Sequence, residues 1–92
     1  MAYYIVSYDL HGKRDYKRAH QGIVDVSNNI WAKPLESLYI IHSNKDAEYI
    51  RDFLVNYVDN DDSIVVIITD LKDWAVRNIN VNALNWIREE SK

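Results

Sequence analysis

The chain opens on Tyr3-Tyr4-Ile5-Val6-Ser7-Tyr8-Asp9-Leu10, an aromatic and β-branched run with one carboxylate near its end. Such a run reads as a buried strand. Asp9 then stands at the C-terminal lip of that strand, where a rigid scaffold holds a carboxylate near solvent. The position suits a metal ligand and a structural acid alike.

The segments after it alternate between helical and extended patterns. Gly12 supplies a turn and Asp15 an opening for a helix. Tyr16, Ala19, Ile23, Val26 and Ile30 recur at spacings of three and four and mark one apolar face of a helix. Gly22 inside it costs about 1 kcal/mol relative to alanine and suits close packing on a sheet. Trp31 to His42 is extended, either one long bent strand or two short ones divided near Pro34, which has no N–H for a ladder. Ser43-Asn44 offers the cap of a second helix, whose buried face is Ala47, Ile50, Phe53, Leu54, Tyr57 and Val58. Asp59-Asn60-Asp61-Asp62 ends it in a turn. Ile64-Val65-Val66-Ile67-Ile68 is a continuous β-branched run and predicts a central strand buried on both faces. Beyond Lys72-Asp73, Trp74-Ala75-Val76 suits a short strand or hairpin arm. Val81, Leu84, Trp86 and Ile87 suit a short terminal helix with Asn80 or Asn82 near its start.

With 92 residues the chain makes one domain. A chain of this size buries only about 60–65% of its unfolded surface, so pairing with a second copy would help it. The formal net charge of −3 argues against a dedicated nucleic-acid coat but leaves room for a local basic patch. There is no cysteine, which excludes disulfides, thiolate zinc sites and cysteine nucleophiles. No leader-like opening and no apolar run long enough to span a bilayer is present, so the expectation is a soluble cytoplasmic protein without a membrane partner.

Strand, helix, bent strand or hairpin, helix, strand is the order expected. With right-handed crossovers both helices fall on one face of an antiparallel sheet, an α+β, ferredoxin-like βαββαβ sandwich. Residues 1–74 would form that domain, and residues 75–92 a C-terminal arm or short helix available to a partner subunit. The competing architecture is a three-strand α/β unit whose unpaired edge needs a partner strand.

Tyr4-Ile5-Val6-Ser7-Tyr8-Asp9-Leu10, Trp31 with Pro34-Leu35-Glu36-Ser37, Tyr39-Ile40-Ile41, Ile50-Arg51-Asp52 and Asp61-Asp62-Ser63 together resemble a group of small bacterial and phage proteins labelled SinR-like. These are distant relatives of CRISPR-associated protein 2 and of the VapD toxins. The resemblance runs from about Tyr3 to about Trp74. It implies a ferredoxin-like homodimer in which strands or tails complete the partner's sheet. It also implies that Asp9 faces its twin across the dimer axis and holds a divalent metal for phosphodiester cleavage, with Ser37 matching a recurrent serine of the second strand. The acidic balance, the first helix without an arginine track and the different C-terminal segment depart from the CRISPR pattern and put DNA binding in doubt.

The chemistry open to such a chain is narrow. Mg²⁺, or Mn²⁺ in its place, takes oxygen ligands and keeps several waters, so one Asp9 per subunit, doubled by symmetry, would seat it. The alternative for Asp9 is an acid that caps the following helix or bonds the Gly12 turn. His11 has the intrinsic pKa of a general acid or base. Lys13, Arg14, Lys17 and Arg18 are the best local cluster for phosphates of RNA or DNA, and equally suit a solvated helix start. His20 and His42 lack ligand spacing. Asp59, Asp61 and Asp62 lack the glycine and the bidentate glutamate of a calcium loop. Tyr3, Tyr4, Tyr8, Tyr39, Trp31 and Trp74 are suited to stacking bases, and better suited to core and interface packing. Tyr8, Ser37, Tyr39 and Trp74 are the candidate dimer-interface residues. Two functions follow: a metal-dependent endonuclease, or a non-catalytic dimeric module, phage-borne and acting on a host protein.

Overall fold

The computed structural model describes residues 2–11 and 16–92. The elements are β1 (Ala2–Asp9), α1 (Tyr16–Val26), β2 (Trp31–Leu35), β3 (Leu38–Ser43), α2 (Ala47–Val55), β4 (Ser63–Thr69) and α3 (Val81–Glu90). The strands form one antiparallel sheet in the order β2-β3-β1-β4. The chain is thus a small α+β domain with a four-stranded antiparallel sheet and three helices among the described residues.

Strand alternation divides the sheet into two faces. On one, Tyr4, Val6, Tyr8, Tyr39 and Ile41 pack against Ala19, Ile23 and Val26 of α1 and Ile50 and Leu54 of α2. This is the main core. On the far face Ile40 packs with Leu71 and Ile87, flanked by Tyr3, Leu38, Trp74, Ile79 and Trp86. The C-terminal segment, expected as an arm or short helix, forms the helix α3, with Ala83 and Ile87 buried against the sheet. Tyr3 ties it there: its hydroxyl donates to Glu90 Oε1 at 2.9 Å, and its ring stacks on His42 and meets Trp86 edge-on.

Local chemistry sets the boundaries. Asn28 and Asn29 both take left-handed backbone (φ 51° and 66°), a conformation that asparagine tolerates, and so end α1. Ser27 is buried behind them, its Oγ donating to the Ile23 carbonyl. Trp31–His42 is a hairpin whose turn is Glu36-Ser37, two residues beyond the break expected at Pro34. The cap of α2 is Asp46, which accepts from the Tyr49 N–H, while Ser43, expected in that role, accepts from the Lys45 N–H. Trp74–Val76 forms no strand.

Two expectations are corrected. Gly22 admits the second helix rather than the sheet: a Cβ there would stand 2.8 Å from Tyr57 Cγ and 3.0 Å from Leu54 Cδ2. The β-branched run of β4 is an edge strand, not a central one. Ile64 and Val66 pack under the helices, but Val65, Ile67 and Ile68 are 52%, 54% and 62% exposed. The reason is coverage. β4 has one strand neighbour, β1, and α3 packs across the other side of the sheet, against β2.

Candidate functional site

Asp9 ends β1 opposite Ser63, the first residue of β4, and is exposed. Alternation along β1 puts it on the far face with Tyr3, Ile5 and Ser7, away from the two helices. The strand is held rigidly from both sides, by β3 and by β4. The main chain just after it, at His11, is held by a different acid. Asp62 Oδ1 accepts from the His11 N–H and its Oδ2 from the Asp59 N–H, each at 2.8 Å. Asp62 thus satisfies backbone donors on both sides of the β1–β4 end.

His11 is exposed at the same end, and its backbone rather than its ring makes the bond to Asp62. Gly12, Lys13, Arg14 and Asp15 lie outside the described residues. Of the expected basic cluster, Lys17 and Arg18 are described and both are exposed. Arg18 has a structural partner: its guanidinium donates to the Asn56 carbonyl at 2.8 Å, at the C-terminal end of α2 where a cation complements the helix dipole.

The four candidate interface residues separate. Tyr8 and Tyr39 are 6% and 0% exposed and belong to the subunit's own core beneath α1. Trp74 is half-buried on the far face against the subunit's own α3 cluster. Ser37 works through its main chain: its carbonyl accepts from the Tyr8 N–H at 3.2 Å and from Ser7 Oγ at 3.1 Å.

A second cluster had no motif to announce it. The Tyr39 hydroxyl lies 2.8 Å from His20 Nδ1, His20 meets Trp31 edge-on, and Lys33 Nζ stands 5.6 Å from the centre of the Tyr39 ring. Tyr8 packs nearly parallel to Tyr39, and its own buried hydroxyl makes no well-formed hydrogen bond among the described residues, the Tyr39 phenol being its nearest polar influence. Burial pushes both phenols above their ordinary pKa, Tyr39 far more. These groups come from α1, β1, β2 and β3, so no spacing along the chain could have grouped them.

The far face also carries an apolar groove of about 330 Å³, bordered by Ile5, Leu38, Ile40, Leu71, Trp74 and Ile79. Buried Leu71 is held there with left-handed backbone (φ 54°), a strained conformation for a branched side chain.

Among the described residues, no group of three or more His, Cys, Asp or Glu side chains is placed to hold a metal ion. Asp9 by itself would offer a hard cation one carboxylate, fewer ligands than such an ion takes. No described helix is long and apolar enough to cross a membrane. No family model, no curated protein and no solved structure matches the chain.

Proposed function

We propose that this chain is a ferredoxin-like nucleic-acid protein of the CRISPR-associated protein 2 and VapD kind, acting as a homodimer on phosphodiesters with Mg²⁺ or Mn²⁺ at Asp9. The observation that carries the proposal is the placement of Asp9: exposed, at the end of an inner strand, on the face that α1 and α2 leave uncovered. The strand order β2-β3-β1-β4 with α1 and α2 on one face supports the ferredoxin-like assignment.

In this function Asp9 is the ligand that each subunit contributes. β1 holds the carboxylate in place through its two ladders, and Asp62 fixes the chain that leaves it. A bound Mg²⁺ supplies charge to a phosphate and a more acidic water. His11 is exposed at the same end and is the candidate to hold or release a proton there. Lys17 and Arg18 are the described cations on the first turn of α1; both are exposed, and a backbone phosphate would compete with the Asn56 carbonyl for Arg18.

The test is cleavage of RNA and DNA by the purified protein with Mg²⁺ or Mn²⁺, beside Asp9→Ala and Asp9→Asn. Metal-dependent cleavage lost in both variants is expected. Equal cleavage by all three proteins, or by none, removes the catalytic assignment.

The exposed apolar residues of β4 favour a second function, a non-catalytic dimeric module acting on a host protein. Recovery of a stable protein partner, lost in folded Val65→Lys on the exposed face of β4, would favour it. Co-purification of nucleic acid without any protein would count against it.

A further inference from the structure

The two edges of the sheet are treated differently. The β2 edge is short and obstructed: Pro34 has no N–H, and Asn80 Nδ2 donates to the Lys33 carbonyl at 3.0 Å, so the start of α3 is fastened across it. The β4 edge carries no such device. From Ser63 to Thr69 it has no charge, no proline and no glycine, and nothing described pairs along its outer side. An open, apolar edge strand is a template for another strand.

The ladders show which main-chain groups stand outward. Tyr8 N–H bonds the Ser37 carbonyl on the β3 side, so the even-numbered residues of β1 bond β3 and the odd-numbered ones bond β4. Ser63, Val65, Ile67 and Thr69 lie opposite those odd residues and turn their N–H and C=O groups toward β1. Ile64, Val66 and Ile68 therefore turn theirs away from the sheet. The exposed side chains lie on both faces: Val65 and Ile67 on the far face, Ile68 on the helix face. A molecule laid flat against one face cannot cover all three, whereas a strand alongside the edge reaches both.

We propose that β4 pairs antiparallel with β4 of a second copy about a two-fold axis at Val66, joining two four-stranded sheets into one. The occupant follows from self-complementarity. Centred on Val66, the strand sets Val65 against Ile67 of its mate on one face, Ile64 against Ile68 on the other, and hydroxyl against hydroxyl at Ser63 and Thr69. Ile64, Val66 and Ile68 of the two copies together supply about six main-chain hydrogen bonds. The acids that flank the strand are engaged in their own turns, Asp62 with the His11 and Asp59 N–H groups and Asp70 with the Lys72 N–H. In this register Asp62 stands opposite Asp70 of the mate, so the uncharged stretch from Ser63 to Thr69, and not the ends of the strand, carries the pairing.

This contact is separate from the one that the metal-site proposal needs. In the edge pair the two Asp9 residues lie at opposite ends of the ladder, about 20 Å apart along the strand direction. The acids meet only if copies also stack through their far faces. Loss of cleavage in Asp9→Ala and loss of edge pairing are thus distinct outcomes.

The experiment reads residue-resolved amide exchange against protein concentration, together with the mass in solution of wild type, Val66→Pro and Ile67→Lys. Val66 bonds outward, so proline there removes an intersubunit donor and spares the β1 ladder. Expected are amides of Ile64, Val66 and Ile68 that gain protection as concentration rises, while those of Val65 and Ile67 are protected throughout. Expected also is a halved mass for folded Val66→Pro and for Ile67→Lys. If Val66→Pro fails to fold, the wild-type exchange pattern decides alone. Three results overturn the proposal: even-numbered amides that exchange freely at every concentration, a mass unchanged by Val66→Pro, or an assembly indifferent to Val66→Pro yet broken by Ser7→Arg on the far face.

Discussion

Asn80 joins the C-terminal helix to the strand at the far edge of the sheet. Its Oδ1 accepts from the Ala83 N–H at 2.7 Å, and its Nδ2 donates to the Lys33 carbonyl at 3.0 Å. One amide thus caps α3 and fastens it to β2, and both of its functional atoms are used. Asn80→Ala loses both bonds and is expected to cost about 1–2 kcal/mol, the range of a lost N-cap. Asn80→Asp keeps the acceptor for Ala83 but has no donor for Lys33, so it should fall between the two. Urea unfolding midpoints of the three proteins check this. Equal midpoints for wild type and Asn80→Ala would mean that the contact contributes nothing.

Gly22 lets α1 and α2 approach. Helix propensity alone favours Gly22→Ala by about 1 kcal/mol. Against that, the new methyl would meet Tyr57 Cγ at 2.8 Å and Cδ1 at 2.9 Å, atoms near the root of the ring that cannot swing aside without moving α2. Tyr57 is further held by its hydroxyl bond to Asp25 Oδ2 at 3.0 Å. Overpacking of this kind costs about 1–3 kcal/mol and outweighs the propensity gain. A lower melting temperature for Gly22→Ala is expected. A rise would show that the helices separate freely.

The periodicity of Ala19, Ile23 and Val26 and of Ile50 and Leu54 was legible because each stripe meets the same core, whatever its partner strands. The alternation of Tyr4, Val6 and Tyr8 was legible for the same reason. The place of β4 was not. Ile64–Ile68 is equally β-branched in the middle of a sheet or at its edge, and only the order of strands, a long-range property, decides which. Gly22 announced a close approach but not to what, since α2 is about thirty residues away. At the candidate site, Asp9 was placed at the strand end by its run alone. Asp62 was not connected to His11, because that bond spans 51 residues. The His20–Tyr39 pair was hidden for the same reason: neither residue lies in a motif, and the fold brings them together.

Among the described residues the buried Tyr8 hydroxyl makes no well-formed hydrogen bond, and its nearest polar influence there is the Tyr39 phenol beside it. A buried unsatisfied hydroxyl carries a desolvation cost of about 1–3 kcal/mol that folding does not recover. Tyr8→Phe keeps the ring and its packing on Tyr39 and Tyr16 while removing that oxygen. The variant is expected to be at least as stable as wild type, by up to about 1 kcal/mol in chemical denaturation. A loss of that size would mean that the hydroxyl is bonded in solution.

Tyr39 gives the stability of the domain an alkaline limit. Burial, with the neighbouring Tyr8 phenol, holds its pKa well above the ordinary 10.0, and burial raises Tyr8 as well. Below pH 10 both folded and unfolded chains keep these protons, so the full contribution is present. Above it the unfolded chain releases them while the fold retains them. The unfolded state then binds fewer protons and stability falls as pH rises. Each fully retained proton contributes a slope of up to about 1.4 kcal/mol per pH unit. Unfolding midpoints between pH 8 and pH 11 should therefore be flat at first and then drop, with phenolate absorbance appearing together with unfolding. Tyr39→Phe removes the larger of the two contributions and should show a shallower decline, even though it surrenders the bond at His20 Nδ1. An identical slope in the variant would place the alkaline limit elsewhere.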